Sequence, residues 1–397
     1  MRILQINTTV NSGSTGRIAE EIGRVLIDNG HESYIAYGRN DRPSKSNTIK
    51  IGTKKDVYKH SLKTLLFDQH GLGSSKATKN FLKQVDTIKP DVVGLHNIHG
   101  YYINYKILFE YLKFKQIPVL WTFHDCWAFT GHCSYFDSVN CVKWQTHCNR
   151  CPKTADYPKA LVDRSYKNFD DKKEAFLDVN KLKIVTPSHW LSNHVQHSFL
   201  KDYPVEVIHN GIDLELFKPH RSAFNPNEKI VLGVASTWDK RKGLEDFKSL
   251  RKTLPLSIKI VLIGLSQKQL ETLPEGITGI SRTENIEELI AWYNKASVFV
   301  NPTYVDNFPT TNIEALACGT PVITYNTGGS PEAIGDDSSL GEVVEKGNIE
   351  KLKDAILSIK KDDFSIDSCR KRAELSFNSQ DRYLDYLKLY KNYCNDH

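Results

Sequence analysis

Several things are missing from this 397-residue chain, and each absence removes a class of function. No apolar run approaches the roughly 20 residues that a membrane-spanning helix needs, and no basic, apolar and cleavage segments follow one another at the start. A cytoplasmic protein, at most touching the inner face of the plasma membrane, is expected. No fixed-period repeat or low-complexity tract occurs, and with 40% hydrophobic and 25% charged residues the composition excludes a fibrous, coiled-coil or disordered chain. Charge of one sign is also scarce. Lys and Arg total 53 against 47 Asp and Glu, and the resulting +6 suits an anionic ligand or membrane surface without requiring nucleic acid.

What is present is an alternation of short apolar runs with longer stretches of helical spacing, the pattern of parallel strands joined by covering helices. Strands are expected at 3–7, 33–37, 92–96, 119–123, 184–187 and 205–209 in the first half. In the second half they fall at 230–235, 258–263, 297–301 and 321–325. The clearest helix is 18–27, where Ile18, Ile22, Val25 and Leu26 share a face and Glu20, Glu21 and Arg24 are left for solvent. The stretch 213–228, with Pro219 and Pro226 and no periodicity, reads as a linker. The expected organisation is a first α/β lobe over 1–215, a second over 216–370, and a helical tail over 371–397 that crosses back to the first lobe. Two such lobes imply a central cleft, with ligands beyond the carboxyl ends of the strands.

Chemistry is therefore sought just after each strand. Asn11-Ser12-Gly13-Ser14-Thr15-Gly16-Arg17 opens a helix with small residues, whose amides suit a phosphate or carboxylate; a plain turn explains it equally well. It is neither a dinucleotide fingerprint nor a P-loop, since no Gly-Lys-Ser/Thr follows. His96, His99 and His124 lie at strand ends. The first two read as core residues, whereas His124, followed by Asp125, reads as a group for a sugar hydroxyl or a proton. Lys240-Arg241-Lys242-Gly243 places cations at a strand end, where they serve a diphosphate or merely a solvated turn. The most informative stretch is 301–322. Asp306 stands in a loop, Thr310 and Thr311 begin a helix, and Glu314 follows one turn later, offering two carboxylates and free amides within one ligand's length.

This stretch resembles the signature of retaining nucleotide-sugar glycosyltransferases of family 4, in which Glu, seven residues and Glu precede Ala-Leu/Met-Ala-x-Gly-x-Pro-Val. The likeness extends to Gly13–Gly16, Ser188-His189-Trp190, His209-Asn210-Gly211-Ile212-Asp213 and Arg241-Lys242-Gly243. It implies a GT-B fold: α/β, with two Rossmann-like lobes facing a central cleft. It further implies that Glu314 holds the donor ribose and that Arg241 and Lys242 face the diphosphate. Phe308, Pro309, Thr310 and Thr311 would assist at phosphate and sugar, His124 would lie beside the transferred sugar, and Gly13 and Gly16 near the donor phosphates. Asp306 departs from the usual glutamate by one methylene, and Ser236 and Thr237 stand where many members carry a further arginine. No Asp-x-Asp occurs, so the metal-binding motif of the other large glycosyltransferase fold is missing and no catalytic cofactor is expected. The implied reaction retains the anomeric configuration as a nucleoside diphosphate departs, and the implied partners are a nucleotide-sugar donor and a glycan or lipid-linked acceptor.

A cysteine-rich insert spans 126–157. Cys133, Cys141, Cys148 and Cys151 offer four thiolates for a structural zinc; buried unpaired thiols are an equal reading and disulfides a lesser one. Similar inserts occur in glycosyltransferases resembling those of colanic acid and exopolysaccharide assembly. The stretch around Lys54, Lys55, Lys59, His60 and Lys63, with Leu62, Leu65, Leu66 and Phe67, reads as a solvated helix face or, less commonly, as a peripheral membrane contact. The expected function is transfer of a hexose in surface polysaccharide assembly. The alternatives are a nucleotide-sugar epimerase or hydrolase on the same fold, or an inactive zinc-bearing scaffold.

Overall fold

Strands that are buried on both faces read as continuous apolar runs, because parallel sheets are covered by helices on either side. Ile3, Leu4 and Ile6 of the first strand are almost completely enclosed, as are Val92, Val93 and Leu95. The computed structural model describes residues 1–395 and divides into two units, Met1–Ile208 with the segment from Tyr383 onward, and His209–Arg382.

The first unit holds strands β1 (Arg2–Asn7), β2 (Glu32–Tyr37), β3 (Asn47–Lys50), β4 (Val92–Leu95), β5 (Val119–Thr122), β6 (Leu182–Thr186) and β7 (Val205–Val207). They pair in parallel in the order β3-β2-β1-β4-β5-β6-β7. The second unit holds β8 (Ile230–Val234), β9 (Lys259–Ile263), β10 (Ile277–Ile280), β11 (Val298–Asn301), β12 (Val322–Tyr325) and β13 (Gly341–Val344), ordered β10-β9-β8-β11-β12-β13. Both sheets are doubly wound. In each, the strand order reverses at one point, between β1 and β4 and between β8 and β11, and that is where such sheets open a crevice for ligands.

Three strands escaped the sequence reading: β3, β10 and β13. Each is a four-residue sheet edge with at least one exposed or half-buried position, so none shows an apolar run.

Other expectations are corrected. The stretch 213–228 is not a free linker: Leu214 and Phe217 are buried in the core of the second unit, and Arg370 donates to their carbonyls at 3.1 and 2.7 Å. The unit boundary falls at 208/209 rather than 215/216. Ile212 N–H donates to Phe377 O at 2.7 Å and Ser379 N–H to Ile212 O at 3.0 Å, tying the segment after His209 into the second unit. Residues 371–382 also stay with that unit, and only from Tyr383 does the last helix, Ser379–Asn395, belong to the first. There Tyr383, Tyr386, Leu387 and Tyr390 pack with Ile3, Ile18, Ile22 and Leu26. Within the helix Gly13–Asp28, Glu20 is fully buried rather than solvent-facing, because it accepts from Lys45 N–H at 2.8 Å and from the Ser44 hydroxyl.

Candidate active site

In the second unit the loops after β8 and β11 leave the two strands that flank the reversal. The first turns through Asp239, whose carboxylate accepts from the Arg241 and Lys242 N–H groups at 2.9 and 3.2 Å and so shapes a tight turn carrying both cations. Gly243 ends it with φ +75°, and a Cβ there would stand 2.3 Å from the Pro302 carbonyl oxygen, so glycine lets the two loops touch. Tyr304 N–H donates to Arg241 O at 2.7 Å across the same contact.

Both cations converge on the β11 loop. Lys242 Nζ lies 2.5 Å from Asp306 Oδ2, while the Arg241 guanidinium donates to Val305 O at 3.0 Å and stands 4.0 Å from the same carboxylate oxygen. All three side chains are partly exposed, at 34% for Arg241, 19% for Lys242 and 16% for Asp306. Asp306 sits between the two cations and Asp239 stands 3.7 Å from Arg241 Nε, so these two cations are matched by two carboxylates, and it is Lys240 on the same turn that leaves one cation in excess, which suits a phosphate. A second backbone approach fixes Asp306. Gly328 has φ +57°, a Cβ on it would lie 1.7 Å from Asp306 O, and Gly329 N–H donates to that oxygen at 3.2 Å. These glycines follow β12, at a strand end like the other site residues, and are site-shaping residues that no motif in the sequence marks.

The β11 loop then enters the helix Thr310–Ala317. Pro309 is its N-cap and supplies no capping side chain, so the amides at Thr310 and Thr311, both half-buried, begin the helix without side-chain competition for an anion. Phe308 is occupied by packing within its own unit. Its ring stacks on His209 at 4.8 Å and its carbonyl accepts from Asn210 at 3.2 Å. One turn into the helix, the buried Glu314 accepts a hydrogen bond from Tyr293 OH at 2.8 Å. Burial holds the Tyr293 hydroxyl well above its usual pKa, so it remains a donor that fixes the carboxylate.

The first unit places a different chemistry at its reversal point. Gly13 starts the helix Gly13–Asp28 with φ +67°, and a Cβ there would meet nothing within 4 Å, so the loop is open. Gly16 faces inward: a Cβ would stand 2.7 Å from Thr9 Oγ1, and Asn11 N–H donates to its carbonyl at 3.1 Å.

His124 follows β5, and its tautomer is set by a chain of hydrogen bonds. Gln5 Nε2 donates to Ala19 O at 2.8 Å, which leaves Gln5 Oε1 to accept from His96 Nε2–H at 3.0 Å. His96 Nδ1 must then accept, and it receives His124 Nε2–H at 3.1 Å. His124 is left with Nδ1 as a lone pair. Burial lowers its pKa to about 4, so the ring is neutral at physiological pH and serves as an acceptor. His96 is thus a core residue, as expected, and also one that orients His124.

Asp125 accepts from Trp127 N–H at 2.9 Å and lies 3.0 Å from His99 Nε2. His99 in turn contacts Tyr157 OH at 3.2 Å.

The insert 126–157 packs inside the first unit. Trp127, Phe129, Phe136 and Trp144 belong to its main core, and Trp144 stacks on Phe136 at 4.9 Å. Cys133, Cys141, Cys148 and Cys151 line one cavity of about 20 Å³. Among the described residues, no three of these sulfurs lie within 4.8 Å of one another. On the helix Lys54–Phe67, His60 is not part of a basic face. It is buried and accepts from Gly71 and Gly73 N–H, both at 3.1 Å, and burial lowers its pKa to about 4.

Comparison with known proteins adds family to geometry. The family described as Glycosyltransferase Family 4 matches residues 15–216, and the one described as Glycosyl transferases group 1 matches residues 217–380. Over 99% of this chain and 100% of its own length, the putative colanic acid biosynthesis glycosyl transferase WcaC of Escherichia coli (strain K12) is 24% identical. Among solved structures, the sucrose-phosphate synthase of Thermosynechococcus elongatus superposes with a TM-score of 0.72 at 17% identity, covering 100% of both chains. Anabaena HepE, solved in complex with UDP, gives 0.68 at 11% identity over 99% of this chain and 100% of its own. Among the described residues, no helix is long and apolar enough to cross a membrane.

Proposed function

The chain belongs to glycosyltransferase family 4 and has the GT-B fold, and from that premise we propose that it moves a hexose from a nucleoside-diphosphate sugar to a glycan or lipid-linked acceptor, with retention and without a catalytic metal, during surface polysaccharide assembly on the cytoplasmic side of the membrane. The observation that carries this reading is the convergence of Arg241 and Lys242 on Asp306, beside the uncapped start of Thr310–Ala317 at the strand reversal of the second unit.

A departing diphosphate gains negative charge as the glycosidic bond breaks, and fixed donors aimed at that charge lower the barrier. Lys242 and Arg241 supply two cations there. As Lys242 turns toward the phosphates, Asp306 is released to accept from a hydroxyl of the sugar. The amides at Thr310 and Thr311 take further phosphate oxygens, and Glu314, held by Tyr293, accepts from the two ribose hydroxyls. The neutral His124, whose Nδ1 carries the lone pair, accepts from the transferred sugar and holds its orientation. The acceptor hydroxyl attacks on the face the diphosphate leaves and gives its proton to the departing phosphate oxygen. Acceptor binding falls to the first unit. Its helix Lys54–Phe67 exposes Tyr58, Leu62, Leu66 and Phe67 near several lysines, a face suited to an anionic membrane surface that presents a lipid-linked acceptor.

A thermal-shift panel of nucleoside diphosphates tests the proposal. One of them, UDP being the first to try, is expected to raise Tm by several degrees, since a ligand bound to the native state alone stabilises it. No shift with any nucleotide would refute the donor site. Steady release of free sugar from the donor, with no acceptor requirement, would favour a hydrolase or epimerase instead.

A further inference from the structure

Between the end of β5 at Thr122 and the helix that begins at Ser165, the chain forms only three-residue turns, Trp127–Phe129, Asp137–Val139 and Lys143–Gln145. A segment of roughly forty residues without helix or strand is unusual in a compact domain. It is nevertheless buried, with Trp127, Phe129, Phe136 and Trp144 each no more than 4% exposed. No sheet ladder or helix spine runs through the segment, so its rings are held by core packing alone unless a cross-link adds to it, and five cysteines lie within it, Cys126 and the four of the cavity.

We infer that Cys133, Cys141, Cys148 and Cys151 bind a structural zinc ion as four thiolates, closing this segment into a fixed platform. Three features of the surroundings support the assignment. The four residues wall a single cavity of about 20 Å³, room for one ion or water. Backbone donors already point at two of the sulfurs: Gly131 N–H lies 3.2 Å from Cys148 Sγ, and the Lys153 N–H is directed at Cys151. Such N–H to sulfur bonds orient thiolates around a metal.

The third feature is His132, which also lines the cavity. Its side chain is fully buried, Asp68 engages Nδ1 at 2.6 Å, and Nε2 has no hydrogen-bond partner. A buried imidazole fixed by a carboxylate, on the wall of a thiol-lined cavity and with its other nitrogen without a hydrogen-bond partner, fits a donor to a zinc-bound thiolate. Four thiolates on zinc carry a net charge of −2, and the buried Lys172 ammonium stands nearby, held by Trp127 O at 2.6 Å and Thr130 O at 2.9 Å. Zinc–sulfur bonds of about 2.3 Å place the sulfurs roughly 3.8 Å apart, so binding draws them inward by rotation about the Cα–Cβ bonds.

The platform ends at Tyr157, whose hydroxyl contacts His99, and His99 lies against Asp125, the neighbour of His124. Metal loss is therefore expected to loosen the surroundings of His124.

The full chain, purified without added metal, is expected to hold one zinc per molecule and to release it to a thiol-specific mercurial. Cobalt exchanged into the protein should show the charge-transfer and intense visible bands of a tetrahedral thiolate site. Cys148→Ser and Cys151→Ser should each cut the bound zinc at least tenfold and lower Tm, whereas Cys394→Ser should change neither. The cobalt spectrum of the unaltered chain keeps the test valid even where a cysteine variant does not fold, and none of these readouts depends on transfer activity. Zinc-free protein whose Tm is indifferent to zinc, a cobalt adduct without thiolate bands, or a Cys133–Cys151 disulfide in protein isolated under reducing conditions would overturn the inference.

Discussion

The two units share one order over six strands, the first adding a seventh at its edge, but put opposite chemistry on it. The reversal point of the second carries cations, a carboxylate and helix-end amides, partly exposed and tied by charge. That of the first carries neutral rings, the buried His96 and the half-buried His124, linked by directional hydrogen bonds. His209 and His220 are the histidines of the second unit, whereas His60, His70, His96, His99 and His132 are all buried in the first. A doubly wound sheet fixes where ligands bind, and the loops after its strands decide what binds. An anion site tolerates solvent. A site that orients a hydroxyl by tautomer needs a dry wall.

The largest expected effect breaks the second unit alone. Gly328→Ala adds a Cβ 1.7 Å from the Asp306 carbonyl at a positive φ, so the β11 loop must move. Nucleotide affinity should fall at least 100-fold, and hydrogen exchange should accelerate within residues 302–330 while the first unit keeps its protection. Unchanged affinity would show that the β12 glycines do not shape the site.

Acid should separate the units next. Burial lowers the pKa values of His60, His124 and His194 to about 4, from an ordinary 6.5. Between these values the unfolded chain binds protons that the native state refuses. Stability therefore rises with pH across this window and is lost as pH falls from about 6.5 to 4, on the order of 2–3 kcal/mol for the buried His60 and less for the half-buried His124 and His194. Urea unfolding followed by fluorescence at several pH values measures it, and a first unit equally stable at pH 4.5 and 7 would contradict the burial argument.

A subtler change tests the tautomer chain. His96→Phe removes the acceptor that holds His124 Nε2–H, freeing the ring to present either nitrogen. The rate of transfer should fall about tenfold with little change in donor KM. Donor KM rising in step with the loss in kcat would place His96 in binding instead. The smallest effect is expected on the helix Lys54–Phe67. Phe67→Ser, at a position 56% exposed, should alter stability by no more than about 0.5 kcal/mol. It should nonetheless weaken binding to anionic vesicles, and identical vesicle binding would remove this face as a membrane contact.

How much of this was legible in the sequence follows from the physics of each part. Central strands announced themselves because burial on both faces leaves continuous runs such as Val298–Asn301. The edges β3, β10 and β13 did not, because half their surroundings are solvent. Arg241, Lys242 and Asp306 were found because they are polar residues immediately after such runs, and the structure brings those three together. For Glu314 the family resemblance implies a ligand for ribose; the structure adds Tyr293, which lies far away in sequence and which periodicity assigns only to a core. Glu20 was misplaced because helical spacing cannot foresee that Ser44 and Lys45 approach it from another loop. The linker was misread for a similar reason: Pro219 and Pro226 break local periodicity, but Leu214 and Phe217 still pack. In both cases partners distant in the chain decided the outcome, and no window of sequence contains them.

The claim that matters most is that the cation pair of the second unit grips a nucleoside diphosphate. Isothermal titration of UDP, or of whichever nucleoside diphosphate shifts Tm most, against the unaltered chain and Lys242→Met measures it directly. A lost charge-assisted hydrogen bond is worth about 1.5–3 kcal/mol, so the affinity of the variant should fall between about 10- and 150-fold, while its unliganded Tm stays within a few degrees. Equal affinity in a folded Lys242→Met protein would contradict the account.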